Sequence, residues 1–138
     1  MLAWLVDEPR SRTIIDVLVT EKTIVVSELT LVECKRVLSR SVATNKLNQT
    51  EAERMLAALG TTSAHWMRSS ISQEVLEVAS RPFPVEPIRT LDAIHLATAI
   101  RTRRALPDLK ILSLDHWIRA NGEALGFEIL PGRLTPDG

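Results

Sequence analysis

From Leu91 to about Arg104 the chain is rich in Ala and Leu, and on a helical wheel its apolar residues fall on almost every side. Such a helix has no face suited to water, so it must sit between other elements and the domain must be built in layers. The segment before it, Arg81-Pro82-Phe83-Pro84-Val85-Glu86-Pro87, has to be a loop. Proline lacks an amide N–H and fixes φ, and three of them this close exclude both a helix and a central strand. Thr90 is the expected cap of the helix, and Asp92 falls in its first turn.

Around this helix, short apolar runs alternate with helical patterns. Thr23-Ile24-Val25-Val26 is a β-branched run without polar alternation, as expected of a strand covered on both faces. Residues 110–114 and 127–130 read as two more strands, and residues 66–71 as a short one. Helices are expected over residues 27–46, from a cap at Asn48 or Thr50 to Leu59 with Gly60 as the stop, around Val75, Leu76 and Val78, and from Asp115 to near Leu125-Gly126. Residues 1–6 read as the remainder of a helix closed by Asp7-Glu8-Pro9, and residues 11–18 as a short amphipathic helix. Strands that alternate with helices imply parallel pairing through crossovers. The expected class is α/β, a three-layer α/β/α sandwich with a parallel sheet of Rossmann-like kind. One domain over residues 1–130 and a loose tail over 131–138 account for the 138 residues.

Composition excludes several alternatives. Lys+Arg and Asp+Glu both number 17, so any basic surface for nucleic acid must be local. A single cysteine, Cys34, rules out an internal disulfide framework and suits a reducing cytoplasm. No apolar run approaches the ~20 residues that span a bilayer, and residues 1–6 lack the flanks of a signal peptide. A soluble cytoplasmic protein without membrane partners is the expectation. With only five glycines and no Gly-rich phosphate loop, another Rossmann-like phosphate-handling enzyme is disfavoured.

Three carboxylates occupy related places. Asp115 directly follows the strand at 110–114, Glu33 lies about two turns beyond the strand at 23–26, and Asp92 opens the buried helix. Parallel α/β sheets bind ligands beyond the carboxyl ends of their strands, so all three can meet on one rim. Grouped carboxylates repel unless a cation neutralises them, and hard oxygen donors suit Mg²⁺ or Mn²⁺. Such a metal would activate water for hydrolysis of a phosphodiester. Each acid also has a plain reading: Asp115 as an N-cap, Asp92 as a favourable charge at a helix start, Glu33 as the i+3 partner of Arg36. Spacing alone does not choose between the two.

The stretch Pro87-Ile88-Arg89-Thr90-Leu91-Asp92-Ala93-Ile94-His95-Leu96-Ala97-Thr98-Ala99 closely resembles the third acidic motif of VapC-like PIN domains. Ser27-Glu28-Leu29-Thr30-Leu31-Val32-Glu33 looks like the second motif, and Ile111-Leu112-Ser113-Leu114-Asp115 is similar to the fourth, with a Ser two residues before the acid. The three occur in the family's order and span essentially the whole chain. The resemblance implies a PIN-like fold and a metal-dependent endoribonuclease, the toxin of a type II toxin–antitoxin pair, with Glu33, Asp92 and Asp115 as catalytic and metal-binding acids. It also implies Mg²⁺ or Mn²⁺ as cofactor, an RNA substrate, a cognate antitoxin protein and a homodimer. The alternative is a catalytically inactive PIN domain that retains antitoxin or RNA binding.

One departure from the family pattern bears on activity. The first acid of such domains ends the first strand, in a pattern like Asp-Thr-Ser, whereas residues 2–9 look like the helix that follows it. That strand and acid are expected upstream of Met1, and Asp7 and Glu8 are poor substitutes. Arg36 and Arg40, at i+3 and i+7 from Glu33, are candidate RNA-phosphate contacts. Arg101, Arg103 and Arg104 lie at the far end of the Asp92 helix and are better explained by its dipole. His95 and His116 adjoin two of the acids but read as structural, and Cys34 reads as core packing.

Overall fold

The computed structural model describes residues 23–132. The helices expected over residues 1–6 and 11–18, with Asp7 and Glu8, lie outside the described residues, as does the tail from 133 onward. The chain divides into two compact units, Met1–Arg68 and Ser69–Gly138.

In the first unit, strand β1 (Val25–Ser27) leads into helix α1 (Leu29–Ala43) and helix α2 (Gln49–Ser63); strand β2 (Met67–Ser69), whose last residue opens the second unit, follows and pairs with β1. The Oγ of Ser27 accepts the N–H of Leu29 at 3.2 Å, satisfying a helix-start amide that lacks an intrahelical partner. Residues Thr30, Cys34, Leu38 and Ser41 form the buried stripe of α1, at the i, i+4, i+8 and i+11 spacing of one helical face. Cys34 and Leu59 pack with Val26 and Trp66 in the core of this unit, flanked by Ile24 and Leu31. After α1, Asn45 takes a left-handed conformation (φ 59°), which Asn tolerates better than most residues.

Asn48 opens α2 with a reciprocal capping box: its Oδ1 accepts the N–H of Glu51 at 2.8 Å, and the Glu51 carboxylate accepts the N–H of Asn48 at 3.2 Å. The expected stop at Gly60 is corrected, because α2 runs one turn further to Ser63. Glycine ends a helix when it takes the left-handed conformation, and among the described glycines only Gly126 has a positive φ.

The second unit holds helix α3 (Gln73–Ala79), helix α4 (Thr90–Ala105), strand β3 (Ile111–Leu112), helix α5 (His116–Ala124) and strand β4 (Ile129–Leu130). Strands β3 and β4 are parallel, with Ile111 opposite Ile129 and Leu112 opposite Leu130. Their ladder is short: the Ile111 N–H donates to Glu128 O and the Ser113 N–H to Leu130 O. Helix α4 packs against both α3 and α5. Phe83, Ala93, Leu96, Ile111, Phe127 and Ile129 form the core between helices and strands. The outcome is a mixed α/β fold with parallel strands flanked by helices, as the alternating pattern predicts.

One local expectation for this unit needs adjustment. Thr90 is the first residue of α4 rather than its cap; Arg89 holds the cap position and makes no side-chain cap bond. The helix begins one residue early because the Arg89 carbonyl already accepts the Ala93 N–H at 2.9 Å. Its buried residues are Ala93, Leu96, Ala97 and Thr98, with most of the remaining apolar ones half-buried.

Candidate functional site

Glu33 lies in the second turn of α1, half-buried, next to the core residue Cys34. Arg36 and Arg40 on the same helix are exposed. Asp92 is the third residue of α4 and is half-buried, while Asp115 is the exposed N-cap of α5. Asp92 and Asp115 therefore belong to the second unit, at the first turns of two helices that pack together. Glu33 belongs to the first unit.

The surroundings of Asp115 are the most fully defined. Its Oδ1 accepts the Ile118 N–H at 3.0 Å, which is helix capping, and its own N–H donates to Ser113 Oγ at 3.0 Å. One turn on, the guanidinium of Arg119 donates to Ser113 O at 2.9 Å and to Pro131 O at 2.6 Å. Ser113 and Pro131 directly follow β3 and β4, so Arg119 bridges the carboxyl ends of both parallel strands. Asp115 stands at that edge, where sheets of this kind present their ligand-binding groups.

Asp92 is approached through the proline-rich loop. The carboxylate of Glu86 braces it from within, accepting the Phe83 N–H at 2.8 Å and the Ile88 N–H at 2.9 Å through its two oxygens. Asn121 of α5 grips the same loop: its Oδ1 accepts the Val85 N–H, and its Nδ2 donates to Val85 O, both at 2.9 Å. Sequence reasoning missed Arg119 and Asn121. Arg119 had a faint signal, four residues after Asp115 and so on the same helical side, but Asn121 bonds to a residue 36 positions away and no local pattern reports that.

A hollow of about 530 Å³ opens beside this loop, lined among others by Arg81, Phe83, Glu86, Thr90 and Ala93. At 3.6 residues per turn, Asp92 lies roughly 160° around α4 from Thr90, so the hollow and Asp92 are on different faces. The basic cluster at the other end of α4 is occupied with protein partners. Arg101 and Arg104 both pair with Glu74, and Arg103 donates to Leu125 O while lying 3.9 Å over the Phe127 ring. His116 makes an edge contact with Trp117.

A hard divalent cation needs several oxygen donors together. Among the described residues, no three of His, Cys, Asp and Glu are grouped so as to hold a metal ion. Asp92 and Asp115, both in the second unit, are oxygen donors of the kind that Mg²⁺ or Mn²⁺ takes. Burial pushes the Cys34 thiol up to about 11, with the neighbouring Glu33 charge acting in the same direction. That thiol is a packed, protonated group rather than a nucleophile. No described helix is long and apolar enough to cross a membrane.

The PIN domain family matches residues 1–123, and the chain belongs to that family. Comparison with curated proteins gives no match.

Proposed function

We propose that this PIN domain, of nuclease descent, serves as a binding module for RNA or for a cognate antitoxin protein and does not itself hydrolyse RNA. The observation that carries this reading is the arrangement of acids: no metal-holding group of three occurs among the described residues, and Asp115 uses one carboxylate oxygen to cap its own helix. Exposed Arg36 and Arg40, one turn apart on α1, supply positive charge for phosphates, whereas Arg101 and Arg104 share Glu74 as an ion-pair partner.

The second reading is a VapC-type toxin, an Mg²⁺- or Mn²⁺-dependent endoribonuclease with Glu33, Asp92 and Asp115 as its acids. It is favoured by the presence of all three in motif order within the matched residues. One experiment separates the two. The purified chain is incubated with structured RNAs and Mn²⁺, with and without chelator, beside Asp92→Asn. The binding reading expects retention of RNA without cleavage in every arm. Cleavage that disappears both with chelator and in Asp92→Asn would establish the nuclease instead.

A further inference from the structure

We infer that Asn121 is a positioning residue, which locks the start of α4, and with it Asp92, to the helix that Asp115 opens. The inference rests on reading Asp92 and Asp115 as site residues, and it concerns how they are held rather than what they contact. Asn121 is fully buried, at 0% exposure. A primary amide offers an acceptor and two donors, and here all are used: Val85 N–H to Oδ1, and Nδ2 to both Val85 O and Trp117 O at 2.9 Å. The bond to Trp117, one turn back on the same helix, sets the rotamer, so the other two groups already face the loop.

The grip imitates one rung of a β-ladder, with a side-chain amide pairing both polar groups of a single backbone residue. Burying an amide without partners is costly, so Asn at this position is tolerable only with the loop in place. Both sides of the clasp are themselves stiff. On one side, Glu86 ties Phe83 to Ile88 and the chain passes directly into the first turn of α4. On the other, the Asp115 cap and the bonds of Arg119 fix the first turn of α5 to the strand ends. A displacement at Asn121 therefore moves one acid relative to the other. Packing of α4 on α5 alone would leave that register to apolar contacts, which resist sliding less than directional bonds do.

The test uses the full chain in two variants, Asn121→Ala and the size-matched Asn121→Asp. Thr98→Val serves as control; it removes a buried hydroxyl bonded only within α4, the helix that carries Asp92. Backbone amide signals of Asp92 and Asp115 are followed by NMR, with hydrogen exchange at Val85 and affinity for RNA. A clasp predicts at least about tenfold faster exchange at Val85 in Asn121→Ala, equivalent to losing ~1.4 kcal/mol of protection. It also predicts displaced signals at both acids, with Thr98→Val unchanged in the exchange at Val85 and in both signals. If Asn121→Ala does not fold, Asn121→Asp decides by the same signals. Unmoved signals at Asp92 and Asp115 after release of Val85, or equal movement in Thr98→Val, overturn the positioning role. Absence of RNA binding by the parent overturns the RNA-binding reading alone, since the amide signals still decide the role of Asn121.

Discussion

The carboxylate of Asp115 closes the first turn of α5 by accepting the N–H of Ile118 at 3.0 Å. This bond needs an oxygen and not a charge, which lets the structural and functional uses of Asp115 be separated. Asp115→Asn keeps the cap and should alter stability by less than about 0.5 kcal/mol, whereas Asp115→Ala should cost about 1 kcal/mol. Urea unfolding of the two variants checks this. Any loss of ligand binding common to both then belongs to the charge.

Gly122 is buried in α5, and a Cβ there would stand 2.5 Å from Ile129 Cδ1 and 3.1 Å from Ile111 Cδ1. Gly122→Ala should therefore destabilise the protein by roughly 1–3 kcal/mol through overpacking. Ile129→Val removes the nearer methyl. The double variant should be more stable than the sum of the single effects, as a double-mutant cycle in denaturant would register.

Gly60 presents the opposite case. It lies inside α2, exposed, with nothing within 4 Å of where a Cβ would be. Gly60→Ala should raise stability by about 0.5–1 kcal/mol, because alanine loses less backbone entropy in a helix. A lowered midpoint of thermal unfolding would contradict the placement of Gly60 within the helix.

Cys34 makes a prediction in pH. Its thiol titrates near 11 in the folded protein against an ordinary value of 9.0, so between these the folded state binds more protons than the unfolded state. The stabilisation is complete below pH 9 and is lost as pH rises toward 11, at up to about 1.4 kcal/mol per unit. Cys34→Ala should remove that part of the slope, and the chain has no tyrosine to obscure it. At neutral pH the native thiol should resist alkylation until the protein is unfolded.

The parts legible in the sequence are those decided within a few residues. Asn48 with Glu51, Asp115 before its helix and the prolines at 82, 84 and 87 announce their structures through bonds made or forbidden locally. Gly60 misled because helix termination depends on a conformation that the residue permits but does not impose. The strand expected over residues 110–114 narrows to Ile111–Leu112, since the ladder extends only as far as its partner β4. The three acids were visible as motifs. The network that holds two of them was not, because Arg119 reaches Pro131 and Asn121 reaches Val85 across intervals that carry no periodic signal.

The Asn121–Val85 clasp also has a consequence in time. Val85 is synthesised 36 residues before its partner, so on the ribosome the proline-rich loop and the start of α4 emerge while the amide that will hold them does not yet exist. The register of α4 against α5 is thus settled only after α5 has formed. A nascent chain arrested short of Asn121 would display the Asp92 motif without the geometry that surrounds it in the finished protein.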